Sequence, residues 1–355
     1  MKKKLIAIIA ITVIIVAAAL LFFQALLVPK YMGEAFKEGA LIAEYYDNAG
    51  DNDVLFVGDC EVYENVSPIT LWEEYGITSF IRGSAQQLTW QSYYLLEDML
   101  KYEKPKVIIF NVLAMKYGSW KEAGTKAERE AYNRMSIDGM RWSKAKWDCI
   151  QVSMTDEERE NGGAWSYIFP LLRFHSRWDE VSAEDWQYLF HRDQVSDNGY
   201  LMKTGVVPVE GEYHDMPLAD YTFSDLVIEY LDKMRVLCEE NGIQFVLMQA
   251  PTLYPIWHDE YEEQVEAYAE KYGLVYINLL EHIEDMGIDW QTDTYDAGLH
   301  LNVYGAEKLS HYLGQVLMDE CPGLEDRRTD ESVSSKWALK VEKYMNRKNA
   351  LEKGE

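Results

Sequence analysis

The chain has 355 residues, and its 34 Lys and Arg against 60 Asp and Glu give a formal net charge of −26 at pH 7. So acidic a sequence lacks the concentrated cations that bind phosphate backbones, which argues against a nucleic-acid partner. With 48% hydrophobic and 13% aromatic residues it is too apolar to remain disordered, and its length accommodates one large domain or two small ones.

Residues 5–28 form an uncharged, apolar run of 24 residues whose polar members are Thr12 and Gln24. As a helix rising about 1.5 Å per residue, the run extends about 36 Å, enough to cross a hydrocarbon core of about 30 Å. Lys2, Lys3 and Lys4 precede it, so the positive-inside rule keeps the N-terminus cytoplasmic and places everything beyond Lys30 outside. The run exceeds the roughly 7–15 apolar residues of a cleaved signal peptide, and no persuasive small-x-small cleavage site follows. Residues 1–30 are therefore expected to form a single-pass membrane anchor, with the main domain extracytoplasmic.

Downstream, Asp53–Val57, Lys106–Phe110, Ile243–Met248 and Leu274–Ile277 are short, mostly apolar runs bounded by Gly, Asn or Pro, with a weaker fifth at Ile77–Ile81. They are too short for helices and suit strands buried on both faces. Helical stripes lie between them. Leu226, Val227, Tyr230, Leu231, Met234 and Cys238 form one that stops at Gly242. Another, through Tyr261, Val265, Tyr268 and Tyr272, stops at Gly273, and Leu309, Leu313 and Leu317 form a third. Alternating strands and helices predict an α/β fold, a parallel sheet flanked by helices in three layers, over residues 31–321. Residues 115–220 break the rhythm, carry six of the eleven tryptophans and read as a mostly helical insertion. Residues 322–355 are highly charged and read as a surface helix or a frayed tail.

Cys60, Cys149, Cys238 and Cys321 are widely spaced, and no Cys-x-x-Cys pair exists, so zinc-ribbon and thioredoxin-type readings lack support. Four cysteines allow three disulfide pairings, among which the sequence does not choose. P-loop and Gly-x-Gly-x-x-Gly patterns are absent, so no cofactor is implied.

In open parallel sheets, ligands bind at the carboxyl ends of the strands. There the sequence places Gly58-Asp59-Cys60-Glu61 after the first strand, Arg82-Gly83-Ser84 after the second and Asn111 after the third. Asp296 and His300 come far downstream, before the last amphipathic stripe. This set resembles the SGNH/GDSL hydrolase superfamily, whose blocks are a Gly-Asp-Ser nucleophile, a Gly, an Asn and a late Asp-x-x-His. The surrounding segments look most like its membrane-anchored DltD-like and alginate-acetylation-like branch. The blocks run from about residue 53 to 318. Two departures stand out: Cys60 occupies the nucleophilic Ser position, and Asp296 lies four rather than three residues before His300.

From their chemistry, a Cys60 thiolate would attack an ester or thioester carbonyl, His300 would carry the proton, and Asp296 would orient the imidazole. The resemblance implies that Gly83 and Asn111 complete an oxyanion hole with the Cys60 backbone N–H. Asp59 and Glu61 push the thiol pKa up, so His300 decides whether the thiol is reactive. Arg82, His175, Arg177 and Trp178 are candidate substrate-binding residues; the last three also read as a cationic, aromatic surface patch. Ser84 is a rival nucleophile or a turn residue. His258-Asp259-Glu260 looks like a metal cluster on paper, although adjacent residues rarely converge on one ion. The resemblance implies acetyl or D-alanyl transfer to a cell-envelope glycopolymer, with a membrane-bound O-acyltransferase-type partner. The same site facing water would be a carbohydrate esterase. A non-catalytic, polymer-binding scaffold would keep the fold and lose the chemistry.

Overall fold

Each apolar run becomes one strand of a single parallel sheet. In the computed structural model, which describes residues 2–28, 38–117, 126–160, 162–190, 194–214 and 217–354, the strands are β1 (Val54–Gly58), β2 (Ser79–Gly83), β3 (Val107–Asn111), β4 (Gln244–Gln249) and β5 (Val275–Asn278). Their order is β2-β1-β3-β4-β5, and every pairing is parallel. Most strands run one residue past the apolar run, and β2 runs two. The hydrogen-bond ladder continues into Gly58, Gly83, Asn111, Gln249 and Asn278, and so carries these residues to the sheet edge.

Before β1 come α1 (Lys2–Leu27) and α2 (Glu38–Asn48). Around β2 and β3 lie α3 (Cys60–Tyr63), α4 (Pro68–Tyr75) and α5 (Thr89–Met99). The segment between β3 and α12 holds α6 (Lys126–Ile137), α7 (Lys144–Ser153), α8 (Asp156–Glu160), α9 (Trp165–Ile168), α10 (Leu171–Phe174) and α11 (Ala183–Phe190). Then follow α12 (Asp225–Asn241), α13 (Asp259–Tyr272), α14 (Ile283–Met286), α15 (Val303–Glu320) and α16 (Glu331–Glu352).

Strand side chains alternate between two cores. Val54, Phe56, Ile81, Ile109 and Met248 pack on one face with residues of α4, α15 and α16. Leu55, Val57, Phe80, Ile108 and Phe110 pack on the other with residues of α5, α12 and α13. The result is three layers, as a sheet buried on both faces requires. The charged C-terminal segment is helical over α16, which buries Val333, Trp337 and Tyr344 and stacks Trp337 on Trp72 at 5.1 Å between ring centroids.

Helix α1 is long and apolar enough to cross a membrane. Its side chains are exposed from Lys2 to Phe23, whereas Leu26 and Leu27 are buried against the domain.

Candidate active site

With strand order 2-1-3-4-5, the chain reverses its direction of winding between β1 and β3, and the crevice at their carboxyl ends is the expected ligand site. Asp59 and Cys60 follow β1 there, and Asn111 ends β3. Cys60 opens α3 and is half-buried, while Asp59 and Glu61 on either side are fully buried. All four cysteines are free thiols.

His300 reaches this crevice from the loop before α15. Its Nδ1 lies 2.7 Å from Asp296 Oδ2, and the backbone N–H of His300 donates to Asp296 Oδ1 at 2.8 Å. The four-residue spacing is accommodated by left-handed backbone at Ala297 (φ 61°) and Gly298 (φ 97°). Gly298 has little alternative, since a Cβ there would also press on Val209 and Leu253 at 3.0–3.1 Å. Asn302 then caps α15, accepting from the N–H groups of Tyr304 and Gly305. Asn65 locks the loop to the Cys60 side: its Oδ1 accepts from Leu301 N at 2.8 Å, and its Nδ2 donates to Glu61 Oε2 at 2.7 Å.

A second carboxylate shares the imidazole. Glu64 Oε2 lies 3.2 Å from His300 Nδ1 and accepts from the Tyr295 hydroxyl, while the Tyr295 ring stacks on His300. Glu64 stands four residues after Cys60, and its N–H bonds the Cys60 carbonyl at 3.0 Å, so one helical turn presents both side chains to His300. With Nδ1 engaged by carboxylates, Nε2 is the nitrogen left for the thiol. It is buried and has no hydrogen-bond partner. Cys60 and His300 nevertheless shift one another's ionisation through charge and side-chain contact, which puts the thiol beside the imidazole.

The electrostatics oppose a resting thiolate. Burial pushes the Cys60 thiol up to about 11; His300 pulls the other way, and Asp59 and Glu61 add to the rise. Burial alone would lower the pKa of His300, but Cys60, Asp296 and Glu61 outweigh it and hold the imidazole well above its ordinary value. Burial likewise raises the Asp59 and Glu61 carboxyls and lowers Lys116, which faces both of them. Asp59 Oδ2, Glu61 Oε1 and His300 Nε2 are all buried and unpartnered. Three orphaned polar atoms at one strand end mark a place built for a further polar group.

Asn111 is oriented from behind. Its Oδ1 accepts from Ala250 N at 3.1 Å, which fixes the amide and turns Nδ2 toward Asp59 Oδ1 at 3.0 Å, leaving one N–H free to donate elsewhere. Gly83 pairs with Gly58 in the ladder, and a Cβ there would lie 2.9 Å from the Gly58 carbonyl. Beside Lys116 a cavity of about 710 Å³ opens, lined by Met115, Leu218, Thr222, Phe223 and Tyr261.

Four expected substrate residues lie elsewhere. Arg82 is fully buried in an ion pair with Asp98 at 2.9 Å, bonds Tyr46, Leu95 and Ile42, and sits over the Tyr45 and Tyr46 rings. As the residue two after Phe80, it faces the α5 side of the sheet, opposite α3. Arg177 donates from Nη1 to the Leu27 carbonyl at 2.7 Å, capping the end of α1. That carbonyl has no partner within its own helix, and the helix dipole favours a cation there. His175 and Trp178 are exposed beside it. Ser84 is held in a hydroxyl–amide network with Ser136 and Gln87, without a histidine. His258 packs on Tyr221 and Tyr261. Glu64, Asn65, Tyr295 and Lys116 escape the sequence reading. Only the Cys60–Glu64 spacing carried a signal.

No protein-family model and no curated protein matches the sequence. Among solved structures, the chain is similar to a protein of Bacteroides fragilis NCTC 9343 inferred to be an acylhydrolase. Identity is 12% and the TM-score 0.37, over 79% of this chain and 95% of that one. So slight a superposition leaves the chemistry to be argued from the residues themselves.

Proposed function

We propose that the chain is a membrane-anchored, extracytoplasmic acyl-transfer enzyme that moves an acetyl or D-alanyl group onto a cell-envelope glycopolymer. The observation that carries the reading is His300, with Nδ1 held by Asp296 at 2.7 Å and Nε2 buried and unpartnered beside the Cys60 thiol. In the proposed cycle the neutral form of His300, with Nδ1–H held by carboxylate, takes the thiol proton at Nε2 as sulfur bonds the acyl carbon. The oxyanion is met by backbone N–H groups at Cys60 and Gly83 and by the free Asn111 N–H. Collapse breaks the bond to the leaving oxygen, which receives the proton from His300. An acceptor hydroxyl then attacks the thioester, gives its proton to His300, and sulfur leaves. Transferase and esterase differ only in whether a sugar hydroxyl or water arrives at that step. The apolar length of α1 and its three-lysine flank support the anchor, and the family resemblance implies a membrane-bound O-acyltransferase-type partner as acyl source.

The test is mass spectrometry of the full chain after exposure to p-nitrophenyl acetate. An acetyl adduct on Cys60, lost in Cys60→Ala, is expected; an adduct confined to other residues overturns the assignment. A second reading, a non-catalytic polymer-binding scaffold, is favoured by the burial that pushes the thiol up to about 11. Normal function of Cys60→Ala in cells would select it.

A further inference from the structure

We propose that the segment from α10 to α11 is a membrane seat, which lays the domain on the lipid surface by inserting Leu172, Trp178, Trp186 and Phe190 at the acyl–headgroup boundary. The proposal rests on the reading of α1 as a membrane anchor. Along α1 the depth of each residue follows from length. With Lys4 at the inner interface, about 20 residues span the hydrocarbon, so the outer boundary falls near Gln24. Burial changes at the same place: side chains to Phe23 are exposed, whereas Leu26 and Leu27 are covered by protein. The covering elements are α10, α11 and the 3-10 turn His175–Asp179 between them, all of which contact α1.

Two contacts fix the height of this segment. The Trp186 ring lies 6.1 Å from that of Phe22, on the hydrocarbon side of the boundary. Arg177 holds the Leu27 carbonyl on the water side. Among charged neighbours such as Glu180 and Glu184, large apolar side chains stand unpacked around these contacts: Leu172 is 58% exposed, Trp178 73% and Phe190 83%. Phe190 follows Trp186 by four residues and so shares its face of α11. Large apolar groups left bare in water at this density are unusual away from an interaction surface. Here they ring the exit point of a helix whose own exposed face requires lipid. Tryptophan beside a cation is also the composition that membrane–water interfaces favour. The chain's strong negative charge adds no attraction to an anionic leaflet, so apolar insertion must hold the seat.

The experiment uses the full chain in phosphatidylcholine–phosphatidylglycerol vesicles, in a Cys60→Ser background whose three other cysteines are buried. Nitroxide labels are placed through Phe190→Cys and Trp178→Cys, both exposed positions with no core packing to lose. References are Ala10→Cys within α1 and Glu239→Cys on exposed α12. Collision with oxygen against a water-soluble nickel chelate reports depth. Labels at positions 190 and 178 are expected to show an oxygen-to-nickel ratio several-fold above position 239 and below position 10. Ratios at 190 and 178 equal to that at 239, with position 10 deep, would overturn the seat while the anchor stands. A water-exposed label at position 10 would remove the anchor reading, and the seat with it.

Discussion

Cys60 sits in a crowd of carboxyl groups, and that crowd sets its behaviour. A thiol held near 11 by burial, with Asp59 and Glu61 beside it, carries little thiolate at neutral pH. Alkylation of Cys60 by iodoacetamide should therefore rise about tenfold per pH unit across the neutral and mildly alkaline range. His300→Ala removes the group that pulls the thiol pKa down, so labelling at any given pH should slow further. Fast, pH-independent labelling near neutrality would mean that a thiolate already rests there. The paired carboxylates make a second prediction. Because both Asp296 and Glu64 reach Nδ1, Asp296→Ala should cost about ten- to a hundredfold in turnover, with Glu64 retaining the tautomer. The double variant Asp296→Ala, Glu64→Gln should fall by about 10⁴, the scale of losing an orienting acid outright. Equal losses in single and double variants would leave Glu64 no part in orienting the ring.

Among the elements, α16 answers to the expected surface helix, but its docking on the core was not foreseen. Its sequence is dominated by charge, and the residues that dock it, Val333, Trp337 and Tyr344, are too few among charged neighbours to read as a stripe. Trp337 is nonetheless buried and stacked on Trp72 of α4. Trp337→Ala should destabilise the full chain by about 3–5 kcal/mol, as loss of a buried tryptophan does elsewhere. The check is the thermal midpoint in detergent, with exposed Leu339→Ala as a control that should not move it. Unchanged melting of Trp337→Ala would show that α16 contributes nothing to the fold. The strands were legible because each is buried on both faces and so reads as an unbroken apolar run. Their polar ends, from Gly58 to Asn111, were legible as a site because parallel sheets gather ligands there. Arg82 was misleading for the same reason. Strand alternation puts it with Phe80, and Asp98, which neutralises it, lies on α5, a contact that linear spacing does not reveal. Glu64 and Tyr295 join His300 only once the 296–300 loop has folded back onto α3.

At the scale of the whole molecule, the chain divides into a helix that needs lipid and a domain that carries almost all of its charge. By the positive-inside rule Lys2, Lys3 and Lys4 would hold the N-terminus on the cytoplasmic side, as the proposed function requires, and an acidic domain meets no comparable barrier to lying outside. With α1 in a membrane, as proposed, the contacts of Leu26 and Leu27 with the domain would hold the crevice at Cys60 near the bilayer. That arrangement suits a donor delivered through the membrane and an acceptor polymer attached to it, and it fails if the domain is cytoplasmic. Protease added to intact cells with an opened wall should therefore digest the domain and leave a membrane fragment containing residues 2–28. The mature N-terminus should also precede Leu5, because α1 packs Leu26 and Leu27 on the domain and meets Trp186 through Phe22. Protection of the domain from protease would put the Cys60 crevice on the wrong side for an envelope acceptor. A mature N-terminus beyond residue 28 would remove the tether, and with it the reason for a domain that exposes Trp178 and Phe190 beside the end of α1.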